Sequence, residues 1–375
     1  MKYKEIQAKS ILRKHKKIDS WFVSRYGMNL FRGCQHNCSY CDGRAEGYYV
    51  EGNFGEEVEI KINAPEILDK ELNPANKRKP LKKGFIILGG GVCDSYQPIE
   101  AKVKLTQNVL RIIKKYNYPV HILTKSTLVK RDIELIKSIN EQTKVIVSFS
   151  FSSTDDEISK IFEPHASIPS SKLETISIFK KHNIACGMYL MPVIPFITDN
   201  EKYIEKSIAD AKNAGIDFIV FGGMTLKQGR QWDYYMNALN NHFPEISKLY
   251  RNIYYNNKWG SPTQEYYKRI TDIYLKLSAK YKMPKRIPSW LFNDQVDKTD
   301  LVVVILEQLD IILKMKGEKS FYGLAANSII KTEKPIEEIK NDLLMLSGIG
   351  KITEMLIQEI IETGTSQFYE KNLIN

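Results

Sequence analysis

Cys34, Cys38 and Cys41 stand at C-x3-C-x2-C spacing, and they are three of only five cysteines in 375 residues. Three thiolates so spaced can hold three irons of a [4Fe–4S] cluster and leave the fourth iron without a protein ligand. An open iron is what a reactive cluster needs, because an external molecule must coordinate there; a cluster that only carries electrons usually takes four cysteines. Two plainer readings stand beside this one. With His36 the set becomes Cys3His, which zinc accepts, although one short loop would then wrap all four ligands where two separated pairs are usual. Alternatively the three are free buried cysteines, in a loop whose Gly33, Gln35, His36 and Asn37 are polar or flexible. Only Cys93 and Cys186 remain, so no disulfide framework is expected and a reducing cytosol fits.

The elements that must position this loop follow from periodicity. Short β-branched runs at 85–88, 120–123, 145–149, 185–190 and 218–221 read as strands. Helical spacing is expected over 99–115, 131–139, 171–182 and 201–214. Repeated strand–helix units of this length imply a parallel sheet with right-handed crossovers. The count is about six with one strand before the cysteine loop, which suits an α/β fold of the partial (β/α)6 barrel type rather than a full eightfold barrel. In such folds chemistry collects at the C-terminal ends of the strands. The expected organisation is a basic N-terminal segment at 1–22, the barrel at 23–230, a helical extension rich in Tyr and Asn at 231–295, and a small all-α C-terminal module at 296–375.

Six segments narrow the family. They are Asn-Leu-Phe-Arg-Gly-Cys at 29–34, Cys-Asp-Gly-Arg at 41–44, Gly-Gly-Val-Cys-Asp-Ser-Tyr-Gln-Pro-Ile-Glu at 90–100, Leu-Thr-Lys-Ser at 123–126, Ser-Phe-Ser at 148–150 and Phe-Glu-Pro-His at 162–165. With the cysteine spacing, this ordered set resembles the spore photoproduct lyase-like branch of the radical S-adenosylmethionine (SAM) superfamily, whose members are often described as DNA repair photolyases. The resemblance covers about residues 5–290. It implies a radical SAM barrel, a [4Fe–4S] cluster held by Cys34, Cys38 and Cys41, and reductive cleavage of SAM to a 5′-deoxyadenosyl radical. A reductant such as flavodoxin or ferredoxin is implied as well. By the same resemblance Tyr40 lies beside the adenine, Asp94 or Ser95 meets the charged head of SAM, Lys125 meets its carboxylate and Ser150 its ribose. Glu163 either binds SAM or substrate or pairs with a basic residue; Asp94 also suits a capped turn. In the lyases a cysteine near this strand end returns a hydrogen atom to the product radical. Cys93 lies two positions later than that donor, a shift that keeps a side chain on the same face of an extended segment; the plainer reading is a small buried apolar residue. Asp42 stands where the true lyases tend to carry an aromatic.

Near the C-terminus, Leu-Met-Leu-Ser-Gly-Ile-Gly-Lys-Ile-Thr at 344–353 resembles the hairpin of a helix-hairpin-helix motif. In that motif Gly348 and Gly350 make the turn, backbone N–H groups face a DNA phosphate, and Lys351 adds charge. Glu354 replaces the small residue usual there, and the plainer reading is a glycine turn between packed helices.

Lys and Arg total 55 against 44 Asp and Glu, a formal net charge of +11. Basic runs at 9–17, 77–83 and 280–286 can attract a polyanion, or merely reflect a composition rich in Lys, Asn and Ile. The N-terminal residues lack a secretory apolar core. No apolar run approaches the ~20 residues of a membrane helix; 301–315 is interrupted by Glu307 and Asp310. A cytoplasmic, lyase-like radical SAM enzyme acting on a damaged base in nucleic acid, with DNA as its partner and no membrane partner, is the leading expectation. Its alternatives are the same chemistry on a peptide, tRNA or small metabolite, and a non-enzymatic DNA-binding protein with a structural metal.

Overall fold

The computed structural model describes residues 1–47, 54–76, 80–255 and 258–375. Among the described residues ten strands form two sheets. β1 (Lys2–Ile6), β4 (Phe31–Arg32) and β5 (Glu57–Lys61) make a small sheet in the order β1-β5-β4. The large sheet contains β2 (Leu12–Asp19), β3 (Ser24–Met28), β6 (Phe85–Leu88), β7 (Val120–Thr124), β8 (Val145–Phe151), β9 (Ala185–Leu190) and β10 (Phe218–Phe221). Its order is β10-β9-β8-β7-β6-β3-β2. Every neighbouring pair from β3 to β10 is parallel, and β2 adds to β3 antiparallel. These are the six parallel strands expected, β3 being the one before the cysteine loop. The sheet stays open, with β2 and β10 at its two edges.

Alternation along the strands sorts side chains onto two faces. Ile86, Leu88, Val120, Ile122, Val145, Val147, Met188, Leu190, Ile219 and Phe221 pack with Val109, Ile113, Ile136, Ile176, Phe179, Ile204 and Ile208 of the crossover helices. Those helices are Leu105–Lys115, Ile133–Gln142, Pro169–Lys181 and Glu201–Ala214. The single helix expected over 99–115 is two, Glu100–Val103 and Leu105–Lys115, broken at Lys104 with φ +52°. The buried Glu100 carboxylate accepts from Thr106 N at 3.0 Å, capping the second helix from a distance that local propensity does not register.

The other face carries Phe85, Ile146, Ala185, Tyr189, Phe218 and Val220, and these belong to one core with the helix Lys298–Met315. Leu301, Val302, Val303, Val304, Ile305 and Leu306 are buried in succession, so this helix is enclosed on all sides. The expected module at 296–375 is therefore not set off by a gap in packing: its longest helix lies against the concave face of the sheet. The basic run at 280–286 is altered in the same way. Lys285 and Arg286 are buried, Lys285 Nζ donating to Leu373 O at 3.3 Å and Arg286 lying 4.9 Å from the Trp21 ring centre. They tie the last helix to the barrel and offer no charge to a polyanion. Residues 77–79 of the second basic run lie outside the described residues. Among the described residues no helix is long and apolar enough to cross a membrane.

Candidate functional site

The cysteine loop runs from the end of β4 to a helical turn at Asp42–Arg44. Gly33 begins it at φ +80°, where a Cβ would fall 2.4 Å from Glu57 O, so only glycine lets the loop leave β4 against β5. Two buried glutamines then fix its path: Gln97 Oε1 accepts from Gln35 N at 2.9 Å, and Gln35 Oε1 accepts from Ile99 N at 2.6 Å. Arg44 closes the far side. Its Nε donates to Cys38 O at 3.0 Å, another guanidinium nitrogen donates to Asn37 O at 3.2 Å, and its plane lies 3.3 Å from the Tyr234 ring centre. Gln231 Nε2 donates to Tyr40 O at 2.8 Å, and Lys227 pairs with Asp42 at 3.0 Å.

Cys34, Cys38 and Cys41 line one cavity of 120 Å³ together with Gly89, Gly91, Cys93, Asp94, Lys125 and Ser150. The latter six come from the C-terminal ends of β6, β7 and β8 or the loops just beyond, where parallel α/β sheets place their ligands. Burial pushes all three loop thiols up, most for Cys34 and Cys38, so a compensating cation must accompany their ionisation. His36 cannot complete a zinc set as placed. Its Nδ1 faces His165 O at 3.1 Å and its Nε2 faces Asp94 Oδ2 at 3.0 Å, so both ring nitrogens already face oxygen partners. Among the described residues the three thiols of this cavity have no fourth protein ligand beside them, an arrangement that fits an open-iron cluster better than a four-ligand zinc site.

Asp94 is engaged by four protein donors rather than free for a ligand. Besides His36, it accepts from Thr124 Oγ1 at 2.8 Å, Lys125 N at 2.7 Å and Tyr96 N at 2.7 Å. Burial opposes its ionisation, but His36 and these donors outweigh it and hold the carboxyl below its usual range. Asp94 thus latches the cysteine loop to the tips of β6 and β7, which includes the turn-capping role weighed from sequence. Ser95 lies outside the cavity lining and is fully buried, its carbonyl accepting from Thr106 Oγ1 at 2.5 Å. Its side-chain hydroxyl is buried without a hydrogen-bond partner.

Lys125 Nζ reaches Tyr40 Oη at 3.0 Å, Ser150 Oγ at 2.9 Å and Glu163 Oε1 at 3.1 Å, and the Tyr40 hydroxyl also donates to Glu163. Four residues singled out from sequence therefore meet at one point. Sequence reasoning missed a fifth, Lys172. This lysine is fully buried, donates to Ser150 O at 2.9 Å and lies 3.6 Å from Glu163 Oε2. It shares the inward stripe of its helix with Thr175, Ile176 and Phe179, and a lysine on an apolar stripe was the available signal. Burial pushes Lys172 down to about 8 against the pull of Glu163. Burial resists ionisation of Glu163 as well, but Lys125 and Lys172 outweigh it and hold the carboxyl down at about 2. Cys93 is 5% exposed and its thiol is pushed up to about 12, by burial first and then by Asp94, so it rests as S–H.

Gly348, Gly350 and Lys351 are not brought to this cavity; Gly348 packs against Leu324 and Ala325, while Gly350 and Lys351 are exposed. Gly348 adopts φ +83°, and Gly350 precedes the helix Lys351–Thr363 with open space where a Cβ would stand. The turn expected from sequence is thus formed. Its surroundings are apolar and mixed in charge, with Met345, Ile352 and Met355 exposed and Asp342 and Glu354 nearby in the chain.

Residues 28–208 match the family model described as the Radical SAM superfamily. The chain is 28% identical over 263 residues to an uncharacterized protein of Mycobacterium tuberculosis, covering 69% of this chain and 75% of that protein. It is 29% identical over 230 residues to an uncharacterized protein of Methanocaldococcus jannaschii, covering 61% and 80%. Among solved structures it is similar in fold to spore photoproduct lyase complexed with dinucleoside spore photoproduct. That match has a TM-score of 0.55 and 14% identity, over 74% of this chain and 79% of that one.

Proposed function

Because residues 28–208 form a radical SAM domain, which uses a [4Fe–4S] cluster and S-adenosylmethionine, we propose that the chain is a lyase-like radical SAM enzyme acting on nucleic acid, with a damaged base as its target. The observation that carries the enzyme reading is the single cavity in which three loop thiols meet Cys93, Lys125 and Ser150 at the strand ends. When bound, the two cofactors supply a 5′-deoxyadenosyl radical through one-electron cleavage of a C–S bond, drawing that electron from a reductant such as flavodoxin or ferredoxin. Cys34, Cys38 and Cys41 hold the irons. Lys125 and Ser150 take the carboxylate and ribose of SAM, and Tyr40 its adenine. Glu163 keeps Lys125 oriented and charged, and Lys172 keeps Glu163 ionised, in a site from which water is largely excluded. Asp94 acts through His36 and Thr124, keeping the loop and the strand tips in register.

Cys93 is assigned the return of a hydrogen atom. Its S–H bond breaks, the hydrogen joins the substrate carbon radical, and the sulfur radical is restored by an electron from the reductant and a proton from solvent. A nucleic-acid target is supported by the fold shared with spore photoproduct lyase, by the exposed lysines of β2, and by the glycine turn at Gly348 and Gly350. An enzyme acting on a base must extrude it from the stack, at a cost lowest for lesions. The same chemistry on a peptide, tRNA or small metabolite is the second reading, favoured by the exposed Met345, Ile352 and Met355 beside that turn.

The test is anaerobic reconstitution with iron and sulfide, reduction with dithionite, and mass-spectrometric assay of 5′-deoxyadenosine from SAM. Wild type is expected to form it, and Cys34→Ala, Cys38→Ala and Cys41→Ala are expected not to. A colourless protein that leaves SAM intact would overturn the enzyme reading.

A further inference from the structure

A second cavity, of 440 Å³, shares Gly91 with the cysteine cavity and extends from it along the first strands of the large sheet. Ile87 lies in its wall; flanked by Ile86 and Leu88, which face the crossover helices, it points to the concave side. The volume falls within the roughly 300–1,000 Å³ of small-ligand sites. A group undergoing hydrogen abstraction must lie beside the radical, and this adjoining space on the concave face can hold it. We propose that this cleft seats one phosphate-bearing nucleotide of a polynucleotide, with its ring against Phe22 and its phosphate between Arg13 and Lys61. The inference rests on the nucleic-acid reading above and adds where the nucleotide binds and which residues recognise it.

Three observations fit a flat ring with an anionic tail. First, the floor is kept free of side chains by glycine. A Cβ at Gly27 would come 3.2 Å from His15 Nε2, and one at Gly90 would come 2.8 Å from Ile87 and 3.4 Å from Phe22. Phe22 is itself braced, its ring stacked on Tyr189 with centroids 5.5 Å apart, and so offers a rigid aromatic wall. Second, His15 Nε2 is buried without a hydrogen-bond partner, a polar atom on the lining that a ring edge can satisfy. Third, the lining is cationic. Lys61 Nζ donates one hydrogen to Asn29 O at 2.6 Å and keeps two for a ligand. Arg13 is exposed and makes no ion pair among the described residues. The one acid on the lining, Asp19, is turned to the backbone, its Oδ1 accepting from Trp21 N at 2.8 Å. Beyond the mouth, Lys14 and Lys16 are exposed along β2, where phosphates flanking the seated nucleotide would run. That last feature favours a polynucleotide over a free nucleotide.

The test uses the cluster-loaded full chain with SAM, titrated into a fluorescein-labelled single-stranded oligothymidylate and followed by anisotropy at several salt concentrations. The Arg13→Gln, Lys61→Gln double variant is expected to bind about 10-fold more weakly at low salt. Its log–log salt slope should be shallower by ~0.7, the value for one phosphate of a single strand that is no longer neutralised. Gly27→Leu, which fills the floor without removing charge, is expected to weaken binding comparably; iron content reports whether each variant has folded. Lys137→Gln with Lys160→Gln, on outer helices, is expected to bind as wild type. Displacement of the probe by thymidine monophosphate supports the seat with a free nucleotide as sufficient occupant, and displacement by oligonucleotide alone supports the seat with flanking contacts required. If wild type binds the probe but both cleft variants bind it equally well, the cleft assignment fails while the nucleic-acid reading stands. If wild type cleaves SAM yet binds no oligonucleotide, or if an acidic peptide displaces the probe instead, the nucleic-acid reading fails and the cleft assignment with it.

Discussion

Glu163 is a buried carboxylate shared by two lysines, and neither cation has another acidic partner within ion-pairing distance among the described residues. Removing a shared partner leaves the other charges buried and unbalanced, which typically costs about 3–5 kcal/mol. Glu163→Gln is therefore expected to lower unfolding free energy by about that amount in chemical denaturation, and to weaken SAM binding measured by dialysis. The pH dependence follows from the shifts. Glu163, held at about 2 against an ordinary 4.5, contributes stability that is complete above pH 4.5 and is lost as pH falls toward 2. Lys172, at about 8 against 10.5, binds its proton more weakly when folded, so it makes stability rise with pH between 8 and 10.5. That rise should be reduced in Lys172→Met, compared with wild type by urea denaturation across the same range. Cys93 yields a third residue-scale prediction. Cys93→Ala is expected to retain SAM cleavage while altering or diverting the product, as read by product analysis; unchanged product would remove the hydrogen-donor role. The meeting of Tyr40, Lys125, Ser150 and Glu163 was legible because each follows a strand end or a recognisable segment. Lys172 was not, because a lysine in a helix ordinarily reads as surface; for Asp94 the capped turn was legible but the latch was not, because its four donors come from three separate segments.

At the scale of elements, β7 carries His121 on its concave side between two partners. With Nδ1–H donating to Phe22 O at 2.9 Å, Nε2 accepts from Ser148 Oγ at 2.8 Å, which fixes the neutral tautomer. Burial holds this imidazole down at about 4 against 6.5. The unfolded chain therefore takes up a proton between pH 6.5 and 4 that the folded chain refuses, and stability falls as the medium is acidified through that window. The loss attributable to His121 is up to ~3 kcal/mol, at 1.36 kcal/mol per pH unit. Denaturation of wild type and His121→Gln at the two ends of the window should isolate it. Strand positions were legible from β-branched runs, since five runs expected from sequence coincide with β6 to β10 within two residues at either end. The break at Lys104 was not, because the side chain of Glu100 that stabilises the second helix acts across a turn and leaves no periodic trace.

For the molecule as a whole, the helices beyond residue 296 cover the inner face of the open sheet. A chain ending at residue 295 would expose Phe85, Ile146, Tyr189 and Phe218 at once. It is expected to be insoluble or rapidly degraded in limited proteolysis; a soluble, iron-binding fragment would show instead that the barrel stands alone. The six-stranded partial barrel was legible because strand–helix alternation sets topology. The role of the C-terminal helices was harder to see, because the charges at Glu307 and Asp310 made an enclosed helix resemble an amphipathic one. In place, Glu307 pairs with Lys17 and Asp310 with Lys314 at 2.6 Å, and each charge has a cation at hand.

That pairing of early strands with a late helix also bears on how the protein is made. Lys17 meets Glu307, Arg25 lies 3.5 Å from Asp300, and Gln308 donates to Ser20 O at 3.4 Å. Synthesis at about 5–20 residues per second leaves the first strands waiting on the order of 15 s or more before those partners emerge from the ribosome. The first strands are thus held by a helix made much later, and the core between them forms only once that helix has emerged. During that interval the apolar face carrying Phe85, Ile146, Tyr189 and Phe218 lacks the helix that covers it.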